Sequence, residues 1–118
     1  VADLVFYHWS PTSRRKGILR SGLVPGKLSV DRAWRPPYVC FSTDPHLAFN
    51  LSIYYHHEVP SWDLWEVFPE QCIKGYEEIP FDNGDGPEER IKEYRVYQRI
   101  FKRDVWYVAT RAVEVPRS

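Results

Sequence analysis

The chain opens on an alternating stretch. Over residues 3–9, Leu4, Phe6 and His8 fall on one side of a period-two pattern and Val5, Tyr7 and Trp9 on the other, which predicts a strand. Ser10 then stands where an N-cap belongs and Pro11 at the first helical position, so the spacing predicts a helix from there to about Arg20 that stops at Gly22. Ile18 and Leu19 are its only strong apolar residues, so it is short and lightly anchored. Residues 26–37 read as a loop, crowded with Gly26, Pro36, Pro37 and charges of both signs. The segment YVCFS (38–42) is rich in strand formers, and Asp44 and Pro45 after it repeat the cap-proline grammar. Leu47, Ala48, Leu51 and Tyr54 or Tyr55 recur at helical spacing to about residue 56.

The second half reads as strands. WDLWEVF (62–68) is one and QCIKGYEEIP (71–80) a shorter one, followed by the acidic, glycine-rich loop FDNGDGPEER (81–90). EYRVYQRI (93–100) and DVWYVATRAVEV (104–115) close the pattern as two strands joined across Phe101–Arg103. Helices early and antiparallel strands late predict an α+β fold, and residues 1–118 read as a single domain.

Composition narrows the chemistry. Lysine plus arginine and aspartate plus glutamate number 16 each, so the global basic excess expected of a dedicated duplex-DNA binder is missing. Aromatic residues make up 16% of the chain, and these large flat surfaces have to be packed or used. Cys40 and Cys72 form neither a disulfide framework nor a zinc set, which points to reduced thiols and a cytoplasmic setting. Cys40 itself reads as a strand-core thiol. No apolar run approaches the length of a membrane span, so no membrane partner is expected. His56, His57 and Glu58 lack metal-site spacing, and the acidic loop lacks calcium-loop register, so no metal is expected.

Two features carry chemistry. His8 ends a strand just before a helix, where free N–H groups suit a phosphate or a ribose hydroxyl, although a packed histidine is the plainer reading. In EYRVYQRI, period two separates Tyr94, Val96 and Ile100 from Glu93, Arg95, Tyr97 and Arg99. The charged side is either a solvated face or a cleft wall, where a carboxylate stabilises developing positive charge and arginines hold phosphates. The cations of the first helix, Arg14, Arg15, Lys16 and Arg20, read as a solvated face.

Taken together, FYHWSPTSRRKGILRSGLVP, YVCFSTDPHLAFNLS and EYRVYQRIF resemble, in order, three motifs of the ADP-ribosyltransferase superfamily. These are a strand ending in Tyr-His-x-Ser/Thr before a helix and Gly-Leu, a strand with Ser/Thr and Asp-Pro before a helix, and a late strand bearing a glutamate. The likeness is to small prokaryotic and phage members, and to the RNA 2′-phosphotransferase and rifampicin-modifying branches. It implies a split antiparallel β-sheet with short helices after the first strands, and NAD bound as a substrate in a central cleft. It also implies that His8 contacts the adenosine ribose, with Trp9 and Ser10 beside it. Glu93 would bind the nicotinamide ribose and stabilise the oxocarbenium-like transition state as nicotinamide leaves. Arg95 and Ser42 complete the expected nucleotide-binding set. The aromatic that stacks on nicotinamide is Tyr38, Phe41 or Phe49, and Glu77 or Glu78 is the alternative carboxylate.

The implied reaction is transfer of ADP-ribose to an acceptor that is a protein, a nucleic acid or a small molecule, as in a toxin or phage effector. RNA 2′-phosphotransferase activity, and an inactive nucleotide- or protein-binding module of the same fold, are the alternatives.

Overall fold

A computed structural model describes residues 4–26, 37–46, 48–50, 56–81 and 91–114. Among these, six strands form two three-stranded antiparallel sheets. The first sheet has β1 (Phe6–Pro11), β3 (Ser61–Val67) and β6 (Trp106–Ala112) in the order β1-β3-β6. In the second, β2 (Val39–Phe41), β4 (Glu77–Phe81) and β5 (Ile91–Val96) lie in the order β2-β5-β4. With helix α1 (Arg15–Ser21) and a few short helical turns, the class is α+β, as expected.

Among the described residues, one backbone bridge joins the sheets. Tyr7 and Ser42 exchange both backbone hydrogen bonds, at 2.8 and 2.9 Å, and the ladder goes no further. The sheets diverge from this point, leaving a seam between β1 and β2. Apolar residues on the facing sides of the two sheets form the core. Phe6 lies 5.5 Å from Phe41 and 4.8 Å from Tyr94 between ring centroids, and Trp65, Val67, Val39, Val96, Leu23 and Ile100 fill the surrounding space. Ile18 brings α1 onto this cluster.

The first helix departs from expectation. Ser10 and Pro11 do not start it: they extend β1, with Ser10 opposite Asp63 and Pro11 opposite Trp62. Pro11 is extended (φ −52°, ψ 137°), a 3-10 turn spans Thr12–Arg14, and α1 begins only at Arg15. Pairing with β3 outcompetes the local capping signal, because the strand keeps a complete partner ladder as far as Pro11. The helix does end where expected, on Gly22 at φ 77°. That glycine is required, because a Cβ there would lie 2.0 Å from the Ile100 carbonyl oxygen and 2.8 Å from the Lys102 nitrogen.

The second cap-proline signal holds. Asp44 Oδ1 accepts from the His46 N–H at 3.0 Å, the Ala48 N–H reaches the Asp44 carbonyl at 3.1 Å, and 45–46 and 48–50 are helical. Leu47, Leu51, Tyr54 and Tyr55 lie outside the described residues, as do most of the two loops expected at 26–37 and 81–90.

The segment expected as a strand over 71–80 is divided. Pro69–Cys72 is a single helical turn started by its proline, and the strand begins only at Glu77. The strand expected over 93–100 stops at Val96. Gln98 takes over there, its side chain accepting from the Lys74 N–H at 3.0 Å and donating to the Cys72 carbonyl at 3.1 Å. Ile100 rejoins the core through an isolated bridge to Leu23.

Candidate functional site at the seam between the sheets

The seam follows from backbone geometry. Residues two apart on a strand turn their peptide groups to the same edge, so Cys40 faces β1 as Ser42 does. Because β1 has already diverged, no β1 amide reaches the Cys40 carbonyl. The ring of His8 takes that place, its Nδ1–H donating to the Cys40 carbonyl at 2.7 Å. A carbonyl only accepts, so a neutral His8 carries its proton on Nδ1 and a lone pair on Nε2.

Burial lowers the His8 pKa below 6.5, the positive charge of Arg14 lowers it further, and the bond to Cys40 opposes both. The His8 ring keeps some accessible surface and Cys40 is exposed, yet protein atoms crowd both. Cys40 is therefore not the strand-core thiol expected from the sequence: it alternates with the buried Val39 and Phe41 and points the other way. Its pKa stands well above 9.0, mainly through crowding and then through the neighbouring Glu93 charge, so the thiol stays protonated.

Glu93 and Arg95 share the Cys40 side of the second sheet. Cys40 pairs directly with Arg95 in the β2–β5 register, and the Glu93 carboxylate lies against the Cys40 thiol. Arg95 Nη2 donates to Glu93 at 3.1 Å, and its guanidinium sits 4.5 Å from the centre of the Tyr38 ring. Arg95 is buried, and its Nε has no hydrogen-bond partner among the described residues. Tyr97 lies 5.9 Å from Tyr38 and donates to Glu77 at 2.9 Å. His8 and Glu93, from opposite ends of the chain, thus flank a single residue, Cys40.

The other expected site residues fall into two groups. Tyr38, half-buried under Arg95, borders the same face. Phe41 lies 5.7 Å from the His8 ring between centroids, but it and Phe49 are enclosed, at 1% and 0% exposed. Phe41 belongs to the core, and Phe49 is held between Trp9 at 4.6 Å and the Arg111 guanidinium at 4.2 Å. Trp9 also donates its indole N–H to the Pro45 carbonyl at 2.8 Å, tying β1 to the helical segment that starts there. Ser10 is buried within the β1–β3 ladder. Ser42 is buried too, and its hydroxyl accepts from the Asp44 N–H at 3.0 Å. Of the alternative carboxylates, Glu77 shares the Glu93 face, opposite Arg95, whereas Glu78 lies opposite Tyr94 and pairs with Lys92 at 2.8 Å.

One polar cluster was not anticipated. Asp63, 0% exposed on β3, receives Arg15 through two bonds of 2.8 Å, Thr12 at 3.0 Å and Thr110 at 2.7 Å. Arg15 therefore does not simply face water. It also donates to Thr110 at 2.8 Å and lies over the Tyr107 ring at 5.2 Å. The signal was present in the sequence: period two puts Asp63 on the side of Trp65 and Val67, an apolar face on which a carboxylate needs a cation.

A pH test follows from the lowered His8 pKa. As pH falls through 6.5 the unfolded chain takes up the proton first, so stability is full above 6.5 and declines below it, until the folded-state pKa is reached. Chemical denaturation at stepped pH should show this slope in the wild type and lose it in His8→Asn. An equal slope in both proteins would assign it to other groups.

Among the described residues, no helix is long and apolar enough to cross a membrane, and no three His, Cys, Asp or Glu side chains are grouped to hold a metal ion. His56 and Glu58 approach each other at 3.7 Å and are both exposed. No protein-family model, no curated protein and no solved structure matches the chain.

Proposed function

We propose that the chain is an NAD-dependent ADP-ribosyltransferase whose site is the seam between the two sheets. The observation that carries this reading is the meeting of His8 and Glu93 around Cys40. The motifs that carry the resemblance put these two residues at opposite ends of the chain, and both reach the same residue of β2, His8 at its carbonyl and Glu93 at its thiol. Two antiparallel sheets held by one bridge also suit the split sheet that the resemblance implies.

In this reading NAD supplies the N-glycosidic bond that breaks, its electron pair leaving with nicotinamide. The His8 Nε2 lone pair accepts a ribose hydroxyl, and the Nδ1 bond to Cys40 fixes the ring for that contact. Tyr38 is the stacking aromatic, because Phe41 and Phe49 are enclosed. Glu93 has two duties: it accepts a hydroxyl of the nicotinamide ribose, and its charge stabilises the cation that forms. Arg95 holds Glu93 in the structure described here. A diphosphate offers Arg95 a second anion, so seating the dinucleotide loosens the Arg95–Glu93 pair and frees the carboxylate for the ribose.

Nicotinamide release and NAD binding, measured on the same samples, test the proposal. The wild type should bind NAD and release nicotinamide. Glu93→Gln should keep binding while release falls roughly 10²- to 10³-fold, the range for removing one preorganised electrostatic group. His8→Ala should weaken binding. Binding without release across protein, nucleic-acid and small-molecule acceptors would reduce the site to a nucleotide-binding module, and absence of binding would remove the proposal.

A further inference from the structure

A second surface stands apart from the seam, where the end of α1 meets the segment 99–104. Phe101 is 50% exposed there, an unfavourable position for a phenyl ring in water. Its backbone is nevertheless fixed. Leu23 and Ile100 exchange two bonds of 2.9 Å, Gly22 lies against the backbone of residues 100–102, and a 3-10 turn follows at Lys102–Asp104.

Two guanidinium groups lie over the ring, those of Arg99 at 5.2 Å and Arg103 at 5.5 Å from its centre. Arg99 is anchored, since its Nε and Nη2 donate to the Ser21 carbonyl at 3.1 and 2.8 Å. Arg103 is 80% exposed along its side chain. Lys102 adjoins Phe101 in sequence and Arg20 precedes the Ser21 that Arg99 binds; both are exposed, and Asp104 lies 3.8 Å from Arg103. Among the described residues, a chain of zero net charge thus carries Arg20, Arg99, Lys102 and Arg103 with Asp104 in the segments that meet at an exposed aromatic ring on a fixed backbone.

We propose that this surface binds single-stranded nucleic acid, with one base stacked on Phe101 and the adjoining phosphates held by Arg20, Arg99, Lys102 and Arg103. Stacking on a base is worth more than an exposed contact between a guanidinium and a ring, so a base displaces the exposed Arg103, which turns to a phosphate. Arg99 stays, pinned to the helix end. A duplex keeps its bases stacked on one another and offers Phe101 no free face, which makes the single strand the preferred form. An acidic peptide satisfies the cations but leaves the ring unused.

The test is fluorescence anisotropy with a labelled oligouridylate of about ten nucleotides, a matched duplex and an oligoglutamate peptide, over about 50–200 mM salt. The oligouridylate should bind best and weaken as salt rises. Phe101→Ala should lose roughly tenfold in affinity with the salt slope unchanged. Arg103→Glu should weaken binding and flatten the slope. Both substitutions lie on the surface, and circular dichroism checks that the fold is intact. Glu93→Gln should bind the oligonucleotide like wild type, which keeps this result separate from the NAD reading. No binding by the wild type overturns the proposal. So does duplex or peptide binding as tight as the single strand's, or a Phe101→Ala protein that binds like wild type.

Discussion

A Gly22→Ala protein is expected to lose roughly 3 kcal/mol of stability or to fail to fold, the largest effect of a methyl addition at any glycine among the described residues. Two costs combine. With φ 77° and ψ −161°, Gly22 occupies a region that is essentially restricted to glycine and costs an L-residue about 1–3 kcal/mol. Overpacking adds typically about 1–3 kcal/mol, and here the Cβ would meet backbone of residues 100–102, which has no rotamer to change. The strain cannot be released cheaply, since Leu23, the next residue, is tied to Ile100 by two backbone bonds. Gly17→Ala is the matched control. It lies inside α1, its new methyl would meet nothing within 4 Å, and the exchange should stabilise by about 0.5–1 kcal/mol. Urea midpoints for the two variants should move in opposite directions. Equal midpoints for Gly22→Ala and wild type would contradict the close approach.

The second large effect is expected at Asp63. Removing one partner of a buried ion pair costs about 3–5 kcal/mol when the remaining charge is trapped. Arg15 is 38% exposed along its side chain and can turn to water, so the expected loss for Asp63→Asn is nearer 2 kcal/mol, or roughly 10 °C in melting temperature. The amide keeps the volume but places an N–H₂ among donors from Arg15, Thr12 and Thr110. The pH dependence identifies the cause. Arg15 above all, with help from Thr110 and Thr12, holds the Asp63 carboxyl below 3.8. The unfolded chain is protonated first as pH falls past 3.8, so the stabilisation is full above that value and lost below it, through the folded-state pKa. Wild type should therefore lose stability in that acid window while Asp63→Asn stays flatter. If both proteins decline alike, Asp63 is not the group responsible.

What the sequence revealed depended on how local each cause is. Asp44 and Pro45 start a helix because the Asp44 carboxylate bonds an amide two residues away, a contact legible from spacing. Ser10 and Pro11 carry the same grammar and yet belong to a strand. The deciding ladder comes from β3, some fifty positions further along, and local propensity does not encode it. The end of α1 was legible because Gly22 needs its own backbone freedom. At the site, period two placed Glu93 and Arg95 on one face correctly. It could not show that Cys40 lies between Glu93 and His8, because that depends on where β1 and β2 part. Phe41 and Phe49 were plausible stackers as aromatic residues, and only packing shows both to be enclosed. Arg15 looked like one cation of a wet helix until Asp63 came into place beneath it.

The order in which the chain visits its sheets also bears on how the protein reaches its native state. It lays β1, β2, β3 and β4 alternately in the first sheet and the second, adds β5 to the second, and returns to the first with β6. Every pairing except β4 with β5 joins segments separated by another strand in sequence. Such non-local contacts require long loops to close before they are rewarded, which places folding in the slow range of small domains, roughly milliseconds to seconds. A cut between β3 and β4 leaves each fragment with strands of both sheets and a complete sheet in neither. Each half keeps one ladder, β1–β3 or β4–β5, and its sheets are completed only by the other half.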